Sequence, residues 1–86
     1  MNYFLEYSKE AKKFLDKHRD LAPKVISALE QIAQNPHSNT QDIKRLQGTQ
    51  NCYRLRIGKY RILYEIREKE ILIYAYDAES RGDIYK

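Results

Sequence analysis

Three arginines, Arg54, Arg56 and Arg61, flank the dipeptide Gly58-Lys59 in a stretch, residues 43 to 64, that contains no acidic residue. Guanidinium groups bind phosphate through paired hydrogen bonds. The same window holds Lys44, Arg45 and Lys59, while the rest of the chain carries fewer basic than acidic residues. The formal net charge of +4 is therefore concentrated in this window. A local block of positive charge favours a polyanionic partner. Tyr74 and Tyr76 follow within reach of the same region, and tyrosine rings can stack on bases. The two histidines, His18 and His37, fall near a helix end and in a polar loop, and read as surface residues.

The elements that must position these groups are legible from periodicity. Residues 3 to 7 form an aromatic-rich first strand. Ser8 suits a helix N-cap, and Ala11, Phe14 and Leu15 share one face of the helix that follows. Asp20 is the expected cap of a second helix, with Pro23 tolerated in its first turn. Leu21, Ala22, Val25, Ile26, Leu29, Ile32 and Ala33 supply its apolar stripe. Asn35-Pro36 stops it, and residues 37 to 42 read as a polar loop. The period then changes to two. Residues 52 to 57 and 60 to 66 form a hairpin around Gly58-Lys59, where glycine supplies the unusual backbone angle. Glu68-Lys69 predicts a second tight turn, and residues 70 to 77 a third strand. This order predicts an α+β domain spanning residues 1 to 86: an N-terminal strand, a two-helix hairpin, then an antiparallel three-stranded meander with the helices on one sheet face.

Tight turns fix strand register. A Gly58-Lys59 loop pairs Ile57 with Tyr60, Leu55 with Ile62 and Tyr53 with Tyr64, an apolar face joined by Ile66. The opposite face receives Arg56 across from Arg61, and Arg54 across from Leu63. A two-residue turn at Glu68-Lys69 then sets Tyr76 opposite Arg61 and Tyr74 opposite Leu63. Like charges facing each other across a sheet are destabilising unless an anion lies between them. An arginine face interleaved with tyrosines is thus a plausible RNA platform.

The composition bounds the class. Eighty-six residues make one small domain with a modest core. The single cysteine, Cys52, excludes an internal disulfide, and no Cys/His cluster suggests a metal site. No signal peptide, lipidation motif or long apolar run is evident, so a soluble, cytoplasmic protein without a membrane or a cofactor is expected.

Four segments carry a family resemblance: Lys44-Arg-Leu-Gln-Gly48, Cys52-Tyr-Arg-Leu-Arg-Ile57, Gly58-Lys-Tyr-Arg-Ile-Leu-Tyr64 and Arg81-Gly-Asp-Ile-Tyr-Lys86. In this order and at this length, the chain resembles the RelE family of toxins within the RelE/ParE superfamily. The resemblance covers most of the chain. It implies a RelE-like fold and a type II toxin that acts as a ribosome-dependent endoribonuclease, an mRNA interferase that inhibits translation. It also implies a cognate antitoxin as partner. By that resemblance Arg54 and Arg56 match two basic residues on the first meander strand, and Arg61 matches an arginine on the next. Tyr85 matches the tyrosine near the C-terminus. Arg81 matches an arginine before that tyrosine, with Glu79 the alternative at this place. Some relatives carry lysine where this chain has Arg54 and Arg56.

The implied reaction is attack of a ribose 2′-hydroxyl on the adjacent phosphate. Arg61 and Arg81 are expected to stabilise the phosphate and transition state, with Tyr85 as the candidate base. Arg54, Arg56, Lys44, Arg45 and Tyr76 are expected to bind substrate. Arginine is a poor proton donor, which leaves the general acid unassigned. Lys9, Lys12, Lys13, Lys44 and Arg45 could contact ribosomal RNA, and a solvated helix face explains the first three equally well. Two rival readings stand beside this one: a ParE-like inhibitor of DNA gyrase, which would share the fold and the antitoxin partner but needs no cluster of Arg54, Arg56, Arg61 and Tyr85, and a non-catalytic RNA-binding module.

Overall fold

The computed structural model describes residues 2–37 and 41–80. The chain runs β1 (Phe4–Tyr7), α1 (Lys9–Lys17), α2 (Ala22–Gln34), β2 (Ile43–Arg45), β3 (Cys52–Ile57), β4 (Tyr60–Arg67) and β5 (Leu72–Ser80). The strands form one five-stranded sheet in the order β1-β5-β4-β3-β2. β1 lies parallel to β5, and the other neighbours are antiparallel. Both helices cover one face of the sheet. Ala11 of α1 and Val25, Leu29 and Ile32 of α2 join Leu55, Ile62, Tyr64, Ile66 and Ile73 of the sheet in a single core. Burying each large apolar side chain contributes roughly 1.5–3 kcal/mol, so this one layer carries most of the stability of a small domain.

Ser8 starts α1 as its sequence position suggests. Its Oγ accepts from the Ala11 N–H at 3.0 Å and donates to the Tyr76 carbonyl at 2.7 Å. One buried hydroxyl thereby caps a helix and fastens it to β5. The second helix departs from expectation: Leu21, not Asp20, occupies the cap, and no side chain bonds to the first turn. Pro23 sits in that turn, where its missing N–H costs nothing.

The β3–β4 hairpin has the expected register, with Gly58 at φ 59° in the turn. Tyr53 and Tyr64 stack on the core side, their ring centres 5.6 Å apart. Burial raises the Tyr64 phenol well above its ordinary range, and the neighbouring Tyr53 adds to the effect. Burial, and secondarily Glu30, push the Tyr7 phenol up to about 12.

Two features differ from the sequence reading. β2 is a strand that the sequence reading leaves unassigned; its three residues pair with Tyr53, Arg54 and Leu55. The β4–β5 connection is also longer than a two-residue turn. Glu68–Glu70 form a short 3₁₀ turn, and Ile71 follows in the left-handed region at φ 51°. The longer turn moves β5 by two positions, which preserves the face of each side chain. A bulge opposite Leu63 and Tyr64 then inserts one further residue, Tyr76. Asp77 therefore faces Leu63, and Glu79 faces Arg61. The tyrosines expected at those places lie elsewhere: Tyr74 is opposite Glu65, and Tyr76 sits in the bulge.

Candidate nucleic-acid interface

The sheet face away from the helices brings the predicted basic residues together. Lys44 on β2 pairs with Arg54 on β3, and Arg54 pairs with Leu63 on β4. One row further along, Arg56 faces Arg61, and Arg61 faces Glu79. Arg45 is opposite Tyr53 at the sheet edge. With Lys44, Leu46, Gln47, Arg54 and Arg61 it lines a depression of about 380 Å³.

Carboxylates of this chain bracket the arginine pair. Asp42 Oδ2 accepts from Arg56 Nε at 2.9 Å, and its Oδ1 lies 3.4 Å from Arg54 Nη2. The Asp42 carbonyl also accepts the Arg56 backbone N–H at 2.9 Å, which holds the aspartate beside the strand. Arg61 Nη2 donates to Glu79 Oε1 at 2.7 Å. The row thus reads Asp42, Arg56, Arg61, Glu79, with two cations between two anions. This corrects the expectation that the Arg56–Arg61 apposition demands an external anion, because the chain supplies its own. The side chains of Arg54 and Arg61 are 18% and 25% exposed, so the charges are half sunk in the surface yet open to solvent. The Nε atoms of both arginines are buried and meet no hydrogen-bond partner among the described residues.

Tyr76 lies beside Cys52 rather than Arg61. Burial first, then the Cys52 thiol, raise its phenol above the ordinary value. Tyr74 is covered by the Arg67 guanidinium, 4.8 Å from the ring centre, and Arg67 in turn donates to Glu65 at 2.7 Å. His18 packs on the helix side, stacked on Phe14 and edge-on to Tyr60. His37 pairs with Glu68 at 2.6 Å. Arg81 and Tyr85 lie outside the described residues. Sequence reasoning missed Asp42 as a counter-charge. Its signal was its place as the last acid before the acid-free window. Glu79 entered only as an alternative to Arg81.

Comparison with known proteins agrees with this architecture. The family model for the ParE toxin of the parDE type II toxin–antitoxin system matches residues 5–77. A Methanocaldococcus jannaschii protein named "Putative toxin RelE1" is 34% identical over 80 residues, covering 87% of this chain and 89% of that protein. The RelE–RelB complex from Pyrococcus horikoshii OT3 has a chain that superposes with a TM-score of 0.76 at 23% identity, covering 95% of this chain and 98% of that one. The E. coli RelBE toxin–antitoxin complex gives a TM-score of 0.76 at 18% identity, covering 91% and 95%. The chain is a type II toxin–antitoxin toxin of the RelE family, within the RelE/ParE superfamily.

Proposed function

We propose that this toxin is an mRNA interferase, an endoribonuclease that cuts messenger RNA on the ribosome and thereby stops translation. The observation that carries the reading is the gathering of Lys44, Arg54, Arg56 and Arg61 on one solvent-facing sheet surface. Arg54 and Arg56 bind the RNA backbone, and Arg61 stabilises the charge that grows on the attacked phosphate. Arg81 joins it in that role, and Tyr85, the candidate base by family resemblance, completes the proposed set. Lys44 and Arg45 extend the contact along β2 and also reach ribosomal RNA, and Tyr76 borders the face from β5, beside Cys52. The reaction is in-line attack of the 2′-hydroxyl, and positioning of the message by the ribosome supplies a large share of the rate. No metal or cofactor enters this scheme, and the site of action is the cytoplasm.

A cognate antitoxin is the expected protein partner. Several structural neighbours are toxins solved with RelB-type antitoxins, which supports this reading.

The ParE family match favours a second reading, inhibition of DNA gyrase. One experiment separates the two. A defined message is translated with purified ribosomes and the toxin, and RNA ends are mapped by primer extension, alongside a gyrase supercoiling assay. Discrete new ends near the stalled codon support the interferase. Intact RNA with blocked supercoiling establishes the gyrase reading instead.

A further inference from the structure

We infer that Glu79 is the general base that activates the 2′-hydroxyl, an assignment that rests on the endoribonuclease reading. The bulge at Tyr76 sets Glu79 opposite Arg61. Its carboxylate is held 2.7 Å from the guanidinium cast as the phosphate stabiliser. A phosphate engaged by the Arg61 guanidinium would therefore lie next to the Glu79 carboxylate. The side chain is 36% exposed, open enough to meet a substrate. Arginine cannot act as a base at neutral pH, because it does not lose its proton. Both histidines are engaged elsewhere, His18 by Phe14 and His37 by Glu68. Among the described residues, the charged groups facing Glu79 from the neighbouring strands are Arg61 and, beyond it, Arg56; Asp77 stands two positions away on its own strand.

In the step, a Glu79 oxygen takes the 2′-hydroxyl proton as the O2′–phosphorus bond forms. The phosphorus–O5′ bond breaks, and its electron pair leaves on O5′, which takes a proton from water. Glu79 then returns its proton to the hydroxide so produced. The products are a 2′,3′-cyclic phosphate and a 5′-hydroxyl end. Tyr85 is relieved of the base role.

The decisive variant is Glu79→Gln, which keeps an oxygen to accept from Arg61 but cannot take a proton. General-base catalysis is worth about 10²–10⁴-fold, so cutting on purified ribosomes should fall at least about 100-fold. Binding of a short RNA with a 2′-deoxyribose at the cut site should hold or tighten, since one negative charge leaves the surface. The wild-type rate should decline on the acid side of its pH profile; the residual activity of Glu79→Gln should lack that limb, and Glu79→Asp should recover part of the rate. Cutting by Glu79→Gln within threefold of wild type, or with an unchanged pH profile, overturns the assignment and leaves the nuclease reading standing. Absence of cutting by the wild type overturns both. A melting temperature close to wild type shows that the variant is folded.

Discussion

Replacing Asp42 by Asn tests whether the internal carboxylates compete with RNA for the arginine face. Asp42 makes two ion pairs, at 2.9 Å to Arg56 and 3.4 Å to Arg54, and its side chain is 48% exposed. Exposed pairs are worth about 0–1 kcal/mol each, and half a kilocalorie apiece makes about 1 kcal/mol in all. On the proposed RNA-binding reading both guanidiniums must give up Asp42 to engage RNA, so its removal should tighten binding about fivefold, given that 1.4 kcal/mol is tenfold. Folding stability should fall by up to about 1 kcal/mol, a drop of about 4–8 °C in Tm for a domain of this size. The assay is fluorescence anisotropy with an uncleavable single-stranded RNA at about 50 to 200 mM salt, where the salt slope reports the phosphates neutralised. A steeper slope, by about 0.7 for each added phosphate, would show that Arg54 and Arg56 have been released to the RNA. Unchanged or weaker binding would refute the competition argument and return Asp42 to a merely structural part.

Leu55 is fully buried between the sheet and the helices, and Leu55→Ala should cost about 2–5 kcal/mol in denaturant unfolding. Ile71 holds a left-handed backbone with a β-branched side chain, so Ile71→Gly should raise stability by about 1 kcal/mol, read as a shift in the denaturant midpoint. Tyr7 keeps its proton to a higher pH folded than unfolded, because its phenol is pushed from 10.0 to about 12. Its contribution to stability is complete below about pH 10 and is lost as pH climbs through about 12. Thermal melts across that window should show the decline, and Tyr7→Phe should make it shallower, leaving the shares of Tyr64 and Tyr76, whose phenols are also raised.

The β3–β4 hairpin and its two faces were readable because Gly58 fixes a two-residue turn and strict alternation does the rest. Arg54, Arg56 and Arg61 could therefore be placed on one surface without coordinates. The opposite edge of β4 was not readable to the same depth. Nothing in Glu68-Lys69-Glu70 announces a 3₁₀ turn ending in a left-handed isoleucine, a conformation that sequence rules assign to glycine or asparagine. The bulge at Tyr76 is specified by tertiary contact, since its carbonyl is taken by Ser8, a residue 68 positions away. Those two local departures moved Tyr74 and Tyr76 off the arginine row and moved Glu79 onto it. β2 was hidden because three residues are too few to show a period, and pairing with β3 defines the strand.

The parallel pairing of β1 with β5 has a consequence for the moment at which the toxin comes into being. The first strand meets the last, with Phe4 beside Leu72 and Tyr7 beside Ala75. A nascent chain can form its helices and the central hairpin early, from local contacts. Closing the sheet has to wait until β5 leaves the ribosomal exit tunnel, and contacts so distant in sequence form slowly. Until then β1 has no partner, the core lacks Ile73 and Ala75, and Arg61 faces no Glu79. What β5 adds last to this surface is thus the Glu79 carboxylate, which meets arginines that the β3–β4 hairpin has already set in place.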